Sequence, residues 1–448
     1  MSSQESPSSH KKFYDFRVED WYDCCFDGNP LTFVTKFMPI TIEQANAVVH
    51  LYEIFHKYPR QLIPELSNRT DLDEEKVYYY LKGAKVKLMK RFANCEPSNI
   101  VENFYLFESV SNEGSEVDLE NYEPNLRKQK IFTQKDATLI QQLALNLHET
   151  FESMPSDCEY RNNGYFVRAS TRSPKDGCLK HRESFMEHLK QELVKNSQDS
   201  NRELTYNEPL AVVRTLNAKL CVQNAMQAMN LVIHSERMYA DLFRALLFID
   251  EKLKKTPECE LPGQKFVARL FKKMKRPEYE FRVFVKYFEK EMKHQVTGIT
   301  QYFRTCYLED IQHGTLKEQI QKGIEELAQE VSKRLSTTEN FVLDVSVEYD
   351  KNETGDCTVS KIWMIEINSF SKQASPCMFD WNDPVSNEIL MGNRPMEFRV
   401  LTKPLTLKEG REELAKDIRE MLEEINGAVP PEAEESNDED KKKNCSIQ

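Results

Sequence analysis

The strongest constraint lies between residues 264 and 369, where apolar runs of strand composition are interrupted by single charged side chains. KFVARLF, YEFRVFVKYF and QVTGITQYF come first, followed by a periodic helix at 315–335 and then by ENFVLDVSVEYD and SKIWMIEINSF. β-branched and aromatic residues in short runs read as strands, and KNETGDCTV between the last two carries the turn residues of a hairpin. A charge inside such a strand is costly unless it is paired or liganded, so each one needs an explanation.

WMIEINSF is the sharpest case. Residues two apart on a strand share a face, so Glu366 and Asn368 point together with Met364 beside them. Trp363, Ile365 and Ile367 then turn to the core. FVLDVSV puts Asp344 on its own strand, and pairing of 341–348 with 361–368 would bring Asp344, Glu366 and Asn368 together. Two carboxylates and an amide are hard oxygen donors suited to Mg²⁺ held jointly with phosphates. Half-exposed sheet residues with salt-bridge partners are the alternative.

Cations occur in similar settings. Arg168 lies in YFVRAS just before the turn TRSPKDG, where Asp176 precedes Gly177. Arg269 is flanked by apolar residues, and Glu280 and Arg282 flank Phe281 on one strand face. These residues read either as structural ion pairs or as the lining of a phosphate- and metal-binding cleft between two lobes.

The rest of the chain reads as mainly helical, which makes the fold class α+β. Helices are expected at about 41–58, 73–92, 135–153, 181–196, 217–255 and 407–426. Thr41 with Gln44 forms a capping box at the first. Residues 13–40 read as irregular with a strand near LTFVTKFMPI, and 197–208 as a polar connection. Residues 1–12 and 428–448 read as disordered ends of one two-lobed domain spanning 13–427, with a β-rich lobe at about 264–405.

Bulk properties exclude several classes. A net charge of −12 argues against a general nucleic-acid binder, since phosphate contact needs a net basic surface. The eleven cysteines form no C-x-x-C pair, so neither a zinc site nor a secreted disulfide framework is expected. The start, MSSQESPSSHKK, has no apolar signal core, and no run is long enough to span a membrane. A cytoplasmic monomer is the expectation. H-E-x-x-H and G-x-S-x-G are both absent.

In order along the chain, WYDCC, LTFVTKFMPI, FVRASTRSPKD, YEFRVFV, GITQYF, FVLDVSV, WMIEINSF and MFDW resemble the segments of the cell division cycle protein 123 family. The resemblance runs over about 16–385. It implies an ATP-grasp fold with ATP held between two lobes. ATP would be bound by Arg168, Ser170, Asp176, Arg269, Glu280 and Arg282, and Mg²⁺ by Asp344, Glu366 and Asn368. Two departures stand out: Arg168 occupies the place of the family's phosphate-binding Lys, and Glu366 that of a frequent Asp. Members resemble assembly chaperones that bind the γ subunit of translation initiation factor 2. The resemblance therefore implies that role, with an ATP-grasp ligase forming an acyl phosphate, or a nucleotide-binding regulatory module at a membrane surface, as alternatives.

The last residues, KKKNCSIQ, fit a C-a-a-X prenylation signal at Cys445 beside a polybasic run. The expectation is a lipidated fraction attached to a membrane surface.

Overall fold

In a computed structural model of the protein, the structure describes residues 16–57, 95–100, 134–199, 204–250 and 252–427. The helix expected at 73–92, both chain ends and Cys445 lie outside the described residues.

Two sheets organise the described residues. The first has the order β1-β3-β2, from Thr35–Thr41 (β1), Tyr165–Ala169 (β2) and Glu260–Leu270 (β3), with both outer strands antiparallel to β3. Alternation along β3 splits its side chains. Phe266, Ala268 and Leu270 join the core under helices Ile42–His56, Gln134–Glu152 and Ala225–Ile233, while Val267 and Arg269 take the other face.

The second sheet has the order β7-β6-β4-β5-β8: Cys357–Ser369 (β7), Phe341–Lys351 (β6), Glu280–Phe288 (β4), Lys293–Gln301 (β5) and Glu397–Arg399 (β8). Its pairs are antiparallel except β5 with β8. One face is apolar: Phe281, Val283, Leu343, Val345, Met364 and Ile367 pack under helices Leu316–Leu335 and Val18–Phe26. At one end of the opposite face, Phe284 and Val342 are covered by Phe379 and Trp381. The rest of that face carries the charges.

Several boundaries differ from the sequence reading. Residues 18–26, read as irregular, form a helix, and part of the polar connection begins the helix Leu204–Lys219. The long helix expected at 217–255 is broken into Ala225–Ile233 and Glu236–Leu247. The breaks are made by Asn224, whose side chain accepts from Gln227 N, and Ser235, which accepts from Met238 N. The final helix is divided into Leu407–Glu412 and Lys416–Asn426. The hairpin between β6 and β7 is present, closed where Asn352 Oδ1 accepts from Asp356 N at 2.8 Å.

A β-bulge shapes the charged edge. Asp344 pairs with Glu366, but Val345 pairs with Met364, so Ile365 has no partner in register. Met364 is therefore turned into the core rather than standing beside Glu366 and Asn368. Trp363, expected in that core, instead lies opposite Ser346, stacks on Phe33 and donates to Glu348 at 3.0 Å.

Candidate functional site

Strand register assembles the site. Arg282 on β4 lies opposite Asp344 on β6, which lies opposite Glu366 on β7, so three charges form a row across the sheet. Arg282 grips both Asp344 oxygens, at 2.8 and 2.7 Å, and donates its third nitrogen to Ser375 O at 2.7 Å. Both partners are buried, and the fork geometry is the strong form of this interaction. Asn368 Nδ2 donates to Asp344 Oδ2 at 3.1 Å and at 3.4 Å to Glu366 Oε1.

The three-stranded sheet reaches this row along the β7 edge. Arg168 pairs with Glu366 through Nη1, while its Nε and Nη2 donate to Ala169 O and Thr171 O at 3.1 and 3.0 Å. Arg269 Nη1 donates to Ile365 O, the residue left out of register by the bulge, at 2.6 Å. The other two nitrogens of Arg269, Nε and Nη2, are buried without a hydrogen-bond partner among the described residues. Burial, together with repulsion from Arg168, works against this guanidinium's charge.

Sequence reasoning missed Lys175. Its ammonium donates to Tyr302 Oη at 3.1 Å and lies 4.6 Å from the centre of that ring. Burial alone would lower its pKa, but Tyr302, Glu280 and Glu366 outweigh burial and hold it above the ordinary lysine value. Glu280, on the Arg282 face of β4, is pushed up to about 7, first by burial and then by Asp344 and Glu366, with Lys175 and Arg282 opposing. For Glu366, burial acts upward, but Arg168 and then Lys175 prevail and hold it well below the usual carboxylate range. The signal for Lys175 was its place in the turn that follows Arg168, seven residues before the helix that begins at Arg182.

Two expected site residues are engaged elsewhere. Ser170 donates to Glu19 at 2.8 Å and accepts from Lys265 N at 2.9 Å, which ties the end of β2 to the amino-terminal helix and β3. Asp176 accepts from Ser235 Oγ at 2.5 Å and Arg237 N at 3.2 Å, at the start of helix Glu236–Leu247. The structure thus brings together Arg168, Arg269, Glu280, Arg282, Asp344, Glu366 and Asn368, adds Lys175, and uses Ser170 and Asp176 to pin the β2 turn.

The donor set tests the fit of a metal. Among the described residues no three His, Cys, Asp or Glu side chains group as metal ligands, and both candidate carboxylates already have arginine partners. Four cations, Arg168, Lys175, Arg269 and Arg282, face three carboxylates, Glu280, Asp344 and Glu366. A bare divalent ion finds no net negative charge here. An anion that carries its own metal would fit: its phosphates would meet the donors that Lys175 and Arg269 still have to offer, and oxygens of Asp344, Glu366 and Asn368 would offer the metal hard ligands.

The ten described cysteines are all free, and no described helix is long and apolar enough to cross a membrane.

The D123 family model matches residues 211–425. That span includes β3 to β8 and every candidate metal ligand; Arg168 and Lys175 lie before it. No sequence match was found among curated proteins. Among solved structures, the chain is similar to Cdc123 from Schizosaccharomyces pombe, at 15% identity and a TM-score of 0.39, covering 87% of this chain and 96% of that one. It is also similar to a C-terminally truncated Cdc123 from the same organism, at 14% identity and a TM-score of 0.38, covering 86% and 95%.

Proposed function

We propose that this chain, which belongs to the D123 family through residues 211–425, is a nucleotide-dependent assembly chaperone whose ATP site is the junction of its two sheets. The observation that carries this reading is Arg269, a buried guanidinium with two nitrogens unpartnered among the described residues, set where cations outnumber carboxylates. Such a group is stabilised by an anion entering the cleft, and phosphate is the anion whose geometry a guanidinium matches.

Asp344, Glu366 and Asn368 would hold the Mg²⁺ that accompanies ATP, and that ion would neutralise phosphate charge there. The protein's own part is positional. Arg282 holds Asp344 in one orientation, and Asn368 bridges Asp344 to Glu366. The partner that fits family membership is the γ subunit of translation initiation factor 2, met in the cytoplasm. ATP held in the cleft would lock the two sheets in one relative position, presenting one surface to that partner.

Calorimetric titration with ATP, with and without Mg²⁺, tests the nucleotide reading. Mg²⁺-dependent micromolar binding supports it, and no heat in either titration overturns it. Co-purification with the γ subunit, compared between ATP-loaded and nucleotide-free protein, tests the chaperone reading. Recovery of no γ subunit in either state removes it.

A further inference from the structure

We propose that Lys175, not Arg168, is the cation that meets the nucleotide's phosphates on the β2 side of the cleft, and that Arg168 is a positioning clamp. The proposal rests on the nucleotide reading above and names which side chain serves it.

The allocation of donors carries the argument. All three nitrogens of Arg168 are committed, one to Glu366 and two to the carbonyls of Ala169 and Thr171. Those carbonyls lie at the last residue of β2 and in the turn that follows it. Arg168 therefore fastens that turn to β7, and moving it onto a phosphate would break three bonds at once. Lys175 is placed differently. Among the described residues its hydrogen bond goes to the neutral hydroxyl of Tyr302. Two of the ammonium's three donors remain for a ligand.

The backbone beneath Lys175 is fixed. Ala169 N donates to Arg172 O at 2.8 Å, Gly177 N to Pro174 O at 3.0 Å, and Cys178 Sγ to Lys175 O at 2.9 Å. Asp176, next in sequence, is anchored to Ser235 and to Arg237 N. Gly177 lets the turn lie against the helix Ala225–Ile233, because a Cβ there would stand 2.3 Å from Leu231 O. A flexible four-carbon stem on a rigid turn suits a point-charge phosphate contact.

The arrangement also explains how an arginine can stand at position 168. A long, planar guanidinium reaches Glu366 and two carbonyls together, a task a single ammonium cannot perform with the same geometry.

Titrating Mg-ATP into wild type, Lys175→Met, Lys175→Arg and Arg168→Lys, with apo melting temperatures recorded alongside, tests the assignment. Lys175→Met is expected to lose about tenfold to hundredfold in affinity, the scale of one charged hydrogen bond. Its apo melting temperature should stay near wild type, and Lys175→Arg should recover part of the affinity. Arg168→Lys is expected to melt lower without nucleotide yet lose less affinity than Lys175→Met. Wild-type affinity in Lys175→Met overturns the assignment while leaving the nucleotide reading intact. An apo melting temperature as low as that of Arg168→Lys also overturns it, since Lys175 would then be structural. Failure of the wild type itself to bind removes the nucleotide reading and this assignment with it.

Discussion

Two buried arginine–carboxylate pairs in this molecule share one geometry and differ in their surroundings. Arg282 forks onto Asp344 on the five-stranded sheet, and Arg411 forks onto Glu208 at 2.8 and 2.6 Å, joining the carboxy-terminal helices to helix Leu204–Lys219. Glu208 also accepts from Asn426 at 2.9 Å, and Arg411 donates its third nitrogen to Gly427 O at 2.9 Å. That second pair is saturated by its own neighbours. Arg282 and Asp344 instead stand among Glu280, Glu366, Lys175 and Arg269, whose charges disturb one another. A bidentate pair is therefore no sign of function by itself; the charge left over around it is.

Removing one partner from either pair separates the two roles. Asp344→Ala strands Arg282 in the interior and should cost about 3–5 kcal/mol of stability, together with Mg-ATP binding. Urea denaturation and calorimetry on the one variant check both. Glu208→Ala should cost a similar ~3–5 kcal/mol in denaturation while ATP affinity stays within twofold, roughly 0.4 kcal/mol. If Glu208→Ala lost nucleotide binding without unfolding, the contrast drawn between the pairs would collapse.

Gly177→Ala sharpens the comparison from the side of the β2 turn. The added methyl meets a backbone carbonyl of Leu231, which cannot yield as a side-chain end can. A loss of about 1–3 kcal/mol is expected, with weaker ATP binding as the Lys175 turn shifts.

The pH dependence addresses the crowding itself. Glu280 keeps its proton in the folded state up to about 7, above the unfolded value of about 4.5. The folded state thus binds the extra proton between those values, and Glu280's contribution to stability is lost as pH rises through that window. Glu280→Gln should therefore gain stability relative to wild type between pH 5 and pH 8, read as a smaller fall in melting temperature. An unchanged difference between the two proteins across that range would remove Glu280 from the set of crowded charges.

The smallest effect belongs far from the site. Thr406 caps helix Leu407–Glu412 with a reciprocal Glu409 contact. Thr406→Ala should cost about 1 kcal/mol and leave nucleotide binding untouched, which a thermal melt and one titration would show.

Much of the site was legible because strand periodicity is strict. Glu366 and Asn368 share a face, and the hairpin register does set Asp344 opposite Glu366. The capping box of Thr41 and Gln44 is formed as the local sequence required. Met364 and Trp363 were misplaced because a one-residue bulge reverses every side chain beyond it. That bulge is held by partners far along the chain: Arg269 on the Ile365 carbonyl, and Leu31 O accepting from Met364 N. No local rule reveals them. The breaks at Asn224 and Ser235 were in principle readable as caps, but the apolar periodicity running through them read as one helix.

What the sequence by itself determined was a set of apolar strands with charges at positions that must face one another, and hence a charged row on one sheet face. That follows from the two-residue repeat of a strand and the cost of burying a lone charge. Which cation serves which oxygen was decided only by the tertiary structure. Arg168 is spent on Glu366 and the turn, Asp176 on a helix start, and Lys175 and Arg269 retain donors to offer. Hydrogen bonds are short and directional, so their allotment depends on which distant segments the fold brings within about 3 Å, a distance sequence spacing does not encode.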